Sequence, residues 1–325
     1  MKCALNEMQS ERLSLCTLPT PLHMLEKISR SLNTEIWIKR DDLTGFAMGG
    51  SKARRAEFLL ADALRNECDE VLTEGPIQSN HARVIASGAR RFSKGCHLFL
   101  SGQKPNRSTA NLLLDELADA QIHFVQYEER FVMMEAFAEE LRRKGRRPYV
   151  IPVGGSNEIG AQGDVVGFAE LERQLQTLAP KPTVLVFASS SGGTHAGLLV
   201  GKELVGSQVN VLGIRVSRDP NLQQIISDKA ASFAKRLGLQ KKFQIADIVE
   251  NEDYVGEDYG IPSKEGASAV KGLWQSEGIL LEPVYTAKAM AGLIDLARSG
   301  EWIDERVVFL HTGGTPSFFD LPSQI

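Results

Sequence analysis

The chain predicts an α/β fold of two open, mostly parallel sheets covered by helices. Short β-rich runs alternate with longer runs of helical apolar spacing, and such alternation implies parallel strands with helices on both faces. Several of these strands run into turns rich in Gly, Ser or Asn just ahead of a helix. At 325 residues, with 42% hydrophobic and 24% charged residues, the chain has room for one large α/β unit or two domains of ordinary globular composition.

The elements follow in order. Apolar β-rich runs predict strands at 35–39 (EIWIK), 70–73, 97–101, 123–125, 149–153, 183–188, 209–216 and 306–311. Helical spacing predicts helices at 51–66, 82–92, 131–144, 159–176, 195–204 and 286–299. In the first, Ala56, Leu59, Leu60, Ala63 and Leu64 fall on one face; in the second, Val84, Ile85, Gly88, Ala89 and Phe92 do. The strands form two blocks: a small α/β domain over 53–160, and a large domain combining 1–52 with 161–325. No internal repeat, low-complexity tract or long linker interrupts them.

Composition excludes several classes of function. A net charge of −4 gives no basic excess for nucleic acid or an anionic membrane. No apolar run approaches the length of a membrane span. The start, MKCALNEMQSERLSL, has no apolar core and reads as no secretory signal. The four cysteines, Cys3, Cys16, Cys68 and Cys96, lack CxxC spacing and read as reduced thiols of a cytoplasmic protein. The six histidines include no HExxH, so no metal site is expected.

The odd residues stand where an open parallel sheet binds ligands, beyond the carboxyl ends of strands. Lys52 follows Gly49 and Gly50 at the start of a helix. The positive end of the helix dipole disfavours its ammonium form, so its pKa should fall and its amine become a nucleophile toward an aldehyde. A solvated lysine beside a turn is the plainer alternative. After the strand near Val71, Gln78, Ser79, Asn80 and His81 form a polar cluster. Capping explains one of them, Ser79 or Asn80, but not four in a row. After 183–188, Ser189, Ser190, Ser191, Gly192, Gly193 and Thr194 lead into a helix. Backbone N–H groups, hydroxyls and the helix end make a phosphate cradle; a glycine turn shaped for close packing is the alternative. GGTHAG lacks the GxGxxG spacing, and the chain has no GxxxxGK[ST] loop. Near the end, HTGGTP puts Thr312 and Thr315 at another glycine turn. EPVYTAKAMAGL puts Tyr285 and Thr286 at a helix start, where Tyr285 is a site residue or a packed aromatic.

Lys52 after Gly-Gly, QSNHAR, SSSGGTHAG, EPVYTAKAMAGL and HTGGTP stand in one order along the chain. In this the chain resembles the family of D-cysteine desulfhydrases and 1-aminocyclopropane-1-carboxylate deaminases, fold type II (tryptophan-synthase-like) enzymes that use pyridoxal 5′-phosphate. The likeness extends to LPTPLHMLEKISRSLNTEIWIKRDDL and YVIPVGGSNEIGAQG. It implies that Lys52 carries the cofactor as an imine and that Asn80 meets its 3′-oxygen. Ser190, Ser191, Gly192, Gly193 and Thr194 would hold its phosphate, helped by Arg55, where the family usually has lysine. Thr312 would lie near the pyridine nitrogen. Gln78, Ser79 and Asn80 would receive the substrate carboxylate. Tyr285 and Tyr259 would flank the substrate as acid–base or positioning groups, with Thr286 beside Tyr285. Ser51 stands where the family usually has asparagine, and Ala287 where close relatives have glycine.

The reaction the resemblance implies is β-elimination. The Lys52 amine removes the Cα proton, a thiolate leaves Cβ, and D-cysteine becomes pyruvate, ammonia and sulfide. The deaminase branch carries Glu after the active-site tyrosine and Leu in the His-x-Gly-Gly motif. This chain has Thr286 and Thr312 there, as the desulfhydrase branch does. The rivals are opening of the cyclopropane amino acid, elimination from another β-substituted amino acid such as β-chloro-alanine or cysteate, and cofactor binding without turnover. The family's enzymes are commonly homodimers, so a cytoplasmic homodimer acting on a small amino acid is expected.

Overall fold

The computed structural model describes residues 2–302 and 305–320; residues 1, 303–304 and 321–325, all in the expected large domain, lie outside the described residues. The strands are β1 (Leu22–Met24), β2 (Glu35–Lys39), β3 (Glu70–Pro76), β4 (Gly95–Ser101), β5 (Gln121–Val125), β6 (Pro148–Ile151), β7 (Val184–Ser189), β8 (Asn210–Arg215), β9 (Val249–Asn251) and β10 (Arg306–Leu310). They form a six-stranded sheet in the order β1-β2-β10-β7-β8-β9 and a four-stranded sheet in the order β5-β4-β3-β6. Every pairing is parallel except that of β1 with β2. The family's two-sheet architecture is therefore present, with the strands of the smaller sheet between residues 70 and 151.

All eight expected strands are found, with shifts at their ends. The run at 149–153 stops at Ile151 because Pro152 has no N–H to pair and Val153–Gly155 turns away. The two strands the sequence did not announce, β1 and β9, sit on the edges of the larger sheet and have three residues each, LHM and VEN, with no buried residue. At three residues each, with only partial burial, they carry no apolar alternation to read. The six expected helices are present as Ser51–Arg65, Asn80–Arg91, Arg130–Arg143, Ala161–Leu175, Gly193–Val205 and Thr286–Arg298. Leu222–Arg236 and Lys264–Glu277 are also helical.

Period-2 alternation builds the layers. On β7, Leu185 and Phe187 face a core shared with helices Ala161–Leu175, Gly193–Val205 and Leu222–Arg236. Val184 and Val186 face the opposite core, under Lys264–Glu277 and Thr286–Arg298. On β10, Val308 and Leu310 point one way and Val307 and Phe309 the other. The smaller sheet repeats the design. Val71, Leu98, Leu100 and Ile151 pack under helices Ser51–Arg65 and Asn80–Arg91, and Leu72, Phe99 and Val125 pack under Arg130–Arg143. Each fully buried side chain of this size contributes about 1.5–3 kcal/mol.

A buried ion network ties the start of helix Ser51–Arg65 to helix Ala161–Leu175. Arg54 makes two bonds of 2.8 Å to the Asp41 carboxylate and also binds Glu170, at 2.8 and 3.1 Å. Lys39 Nζ reaches Glu170 at 2.5 Å. Burial pushes the Glu170 carboxyl up, but its bonds to Arg54 and the charges of Arg54 and Lys39 outweigh it and hold the pKa at about 2. Among the described residues no helix is long and apolar enough to cross a membrane.

Candidate active site

In an open parallel sheet the ligand crevice forms where strand order reverses. In the smaller sheet that point is β3, with β4 on one side and β6 on the other; in the larger it is β7, between β8 and β10. One cavity is walled by the segments at these strand ends: Pro76, Ser79, Asn80 and His81 at the end of β3, Val153 and Gly154 after β6, Ser189 to Gly192 and Thr194 at the end of β7, and Thr312 and Gly313 after β10. Lys52, Tyr259 and Tyr285 complete the wall.

Lys52 is set in place by two glycine pairs that touch backbone to backbone. Ser51 N–H donates to Thr312 O at 2.8 Å and Gly50 N–H to Asp41 O at 3.1 Å. A Cβ on Gly313, where φ is +104°, would lie 2.5 Å from Gly50 Cα, so the approach needs glycine at this position. The Lys52 side chain is half-buried and opens on the cavity, its amine 3.4 Å from Gly154 O. Its pKa is lowered to about 7, first by burial and next by the Arg55 guanidinium; Asp164 opposes this and Lys229 adds to it. The direction of the shift is the expected one, but burial and neighbouring charges produce it rather than the helix end.

The glycine-rich loop starts helix Gly193–Val205 against a cationic floor. Arg55, wholly buried, gives Nε to Asp164 at 2.7 Å, Nη1 to Gly154 O at 2.7 Å and Nη2 to Thr194 Oγ1 at 2.9 Å. A Cβ on Gly193 would lie 2.1 Å from Ser156 Oγ and 3.0 Å from Arg55 Nη1. Gly197 and Gly201 meet Asp164 and Phe168 instead, so close packing accounts for the glycines further along the helix. A Cβ on Gly154 would lie 3.5 Å from Lys52 Nζ and 3.7 Å from Ser191 Oγ, between the amine and the loop. A near-neutral amine on one side and a helix N-terminus with hydroxyls and a guanidinium on the other fit an aldehyde that carries a phosphate.

The substrate side is built at the start of helix Asn80–Arg91. Ser79 caps it, its Oγ accepting from Ala82 N–H at 3.1 Å. Asn111, fully buried, donates to Asn80 Oδ1 at 2.9 Å, which turns the Asn80 amide nitrogen toward other partners. Opposite, the Tyr285 and Tyr259 hydroxyls are hydrogen-bonded to each other, the rings 5.9 Å apart and edge to face. Burial keeps both phenols protonated, Tyr285 well above the ordinary range. Glu282 fixes Tyr285 from below: its buried carboxylate accepts from the N–H groups of Val284, Tyr285 and Thr286, and burial raises it to about 7.

Of the residues singled out in the sequence, Lys52, Ser79, Asn80, Ser190, Ser191, Gly192, Thr194, Tyr259, Tyr285 and Thr312 line the cavity. Gly193 and Arg55 stand directly behind the loop. The structure does not bring Gln78 and Thr286 to the cavity. Gln78 binds Thr109 O and the Asn111 N–H, and the Thr286 hydroxyl accepts from Glu282 N–H at 2.9 Å. The sequence reading missed Gly154, Ser156, Asn111, Asp164, Glu282 and Lys229. The paired glycine of VGGSN after a strand was a usable signal for the first two. Asn111, Asp164 and Lys229 lie inside helices and give none. Among the described residues no group of His, Cys, Asp and Glu side chains is placed to hold a metal ion.

A family model described as pyridoxal-phosphate dependent enzyme matches residues 13–313. The chain belongs to that family. Pyridoxal phosphate is the family's cofactor, and the cradle beside Lys52 is built to suit it. A D-cysteine desulfhydrase of Klebsiella pneumoniae strain 342 is 44% identical over 317 residues, 95% of each chain. A Pyrococcus abyssi protein provisionally named 1-aminocyclopropane-1-carboxylate deaminase is 39% identical over 312 residues, 95% of this chain and 93% of that one. The crystal structure of an ACC deaminase homologue superposes with a TM-score of 0.90 at 35% identity, covering 99% of this chain and 98% of the other. The fold is that of the fold type II members of the family.

Proposed function

We propose that this family member is a D-cysteine desulfhydrase, with its active site in the cleft between a small domain over 53–160 and a large one over 1–52 and 161–325. The observation that carries the reading is one cavity that brings the Lys52 amine, the serine and glycine loop 189–194 and a hydrogen-bonded tyrosine pair together. When bound, pyridoxal phosphate supplies the sink for the electron pair left at Cα. Lys52 is the base that takes the Cα proton, since a near-neutral amine is half unprotonated at working pH. Ser79, with a hydroxyl proton still to give, and the N-terminus of helix Asn80–Arg91 receive the substrate carboxylate. Asn80, held by Asn111 with its amide N–H₂ free to donate, would meet the cofactor's 3′-oxygen. Tyr285, supported by Tyr259, donates a proton toward the departing sulfur. Hydrolysis of the released product gives pyruvate and ammonia beside sulfide. The resemblance that supports this reading also supports a homodimer in the cytoplasm.

The 44% identity to a D-cysteine desulfhydrase supports the substrate, and so does Thr312 in the cavity wall. A neutral threonine near the pyridine nitrogen suffices where a thiolate leaves with the charge; opening a cyclopropane demands a deeper sink. The second reading, 1-aminocyclopropane-1-carboxylate deaminase, draws on the Pyrococcus relative and the superposed homologue. The test is kcat/KM for D-cysteine, L-cysteine and 1-aminocyclopropane-1-carboxylate, followed as sulfide and 2-oxo acid. D-Cysteine should be consumed fastest, and the double change Thr286→Glu with Thr312→Leu, which adds an acid, should narrow its lead. More efficient opening of the cyclopropane substrate by the wild-type protein would overturn the reading.

A further inference from the structure

Lys229 stands on helix Leu222–Arg236, and no carboxylate lies at ion-pair distance from it among the described residues. Its Nζ donates to Ser156 Oγ at 2.7 Å and Ser156 O at 3.3 Å. Glu158, the acid that acts on it most, accepts instead from the Ser232 hydroxyl. Ser156 Oγ is also the atom a Cβ on Gly193 would strike. One hydroxyl therefore separates the ammonium from the first residue of helix Gly193–Val205. Arg55, the other cation at this end of the cavity, is already engaged by Asp164, Gly154 O and Thr194 Oγ1. Its charge is matched by Asp164 at 2.7 Å; Lys229 has no such direct ion pair among the described residues, and Glu158 acts on it only from beyond ion-pair distance. Burial first, and the Arg55 charge second, lower Lys229 to about 8, the direction expected of a cation held without a counter-ion.

We propose that Lys229 provides the counter-charge for the cofactor's phosphate, acting through Ser156 at the first turn of helix Gly193–Val205. The inference rests on the loop 190–194 holding that phosphate. It explains how a site with arginine at position 55 keeps a compact ammonium charge near the anion: the guanidinium fork is fixed by three partners, and a lysine from another helix takes its place as the mobile point charge.

The test compares binding of pyridoxal 5′-phosphate and of pyridoxal, which lacks the phosphate, to the apoproteins of wild type, Lys229→Met, Lys229→Arg and Gly193→Val. Lys229→Met should lose roughly ten-fold or more in affinity for the phosphorylated form, as loss of a charge-assisted bond does, with pyridoxal binding unchanged. Lys229→Arg should recover most of that loss. The ³¹P resonance of the bound cofactor should show the phosphate dianion persisting to lower pH in wild type than in Lys229→Met. Unchanged affinity in Lys229→Met, or equal loss for both ligands, would overturn the proposal. If Gly193→Val discriminates between the two ligands as wild type does, the phosphate does not sit at this loop and the underlying reading fails with the proposal. If Gly193→Val loses the discrimination and Lys229→Met keeps it, the role of Lys229 alone is overturned.

Discussion

Lys52 shows how a single side chain acquires reactivity from its surroundings. Burial removes the water that stabilises an ammonium ion, and Arg55 adds a like charge, so the amine is half unprotonated near neutrality. Its folded-state pKa lies below that of a free lysine, so the reactive neutral form gains population as pH rises through about 7. The rate at which the apoprotein captures pyridoxal phosphate should therefore rise to half its maximum near pH 7 and level off above it. A rate that keeps climbing toward the titration range of free lysine would mean a solvated amine. The residue was legible in the sequence, because a lysine behind Gly-Gly at a helix start is a local pattern; the cause of its shift was not, since burial and the Arg55 charge come from packing. The Asn111 contact to Asn80 and the Glu282 grip on Tyr285 were not. Both are buried polar groups whose partners are set by packing rather than by spacing.

At the scale of elements, the strand-end loops are precise because ionic and backbone contacts cross between them. Arg54 binds Asp41 and Glu170 at once, which locks the loop before Lys52 to helix Ala161–Leu175. Removing Asp41 takes two charge-assisted hydrogen bonds from Arg54 but leaves Glu170 as its counter-charge, a loss of about 2–3 kcal/mol rather than that of an orphaned charge. Asp41→Ala should lower the free energy of unfolding by that order in a denaturant titration, and a loss below about 1 kcal/mol, as for an exposed pair, would show the network to be solvated. The central strands were readable because both faces are buried and their apolar runs are unbroken. The edge strands β1 and β9 were not, since exposure leaves no pattern. Gln78 and Thr286 show the limit of motif reading: each adjoins a cavity residue, yet a cap or a turn rotates its side chain elsewhere.

For the whole molecule, the strand ends at both order reversals open on one cavity, and seven separated stretches of chain, Lys52's own among them, line it. The two blocks of alternating elements could be seen in the sequence; which strands would be neighbours could not, because β10 slots between β2 and β7 from the far end of the chain. That insertion is what carries Thr312 and Gly313 to Lys52. The same arrangement disposes of the other buried lysines. Lys39 is held by Glu170, Gln174 and Thr20 O, and Lys288 by Val255 O and Asp258 O. The most direct measurement is borohydride reduction of the cofactor-loaded protein followed by peptide mapping. The pyridoxyl label should fall on Lys52 alone and be absent from Lys52→Ala, which should still fold. A label on Lys39 or Lys288 would contradict the site described here.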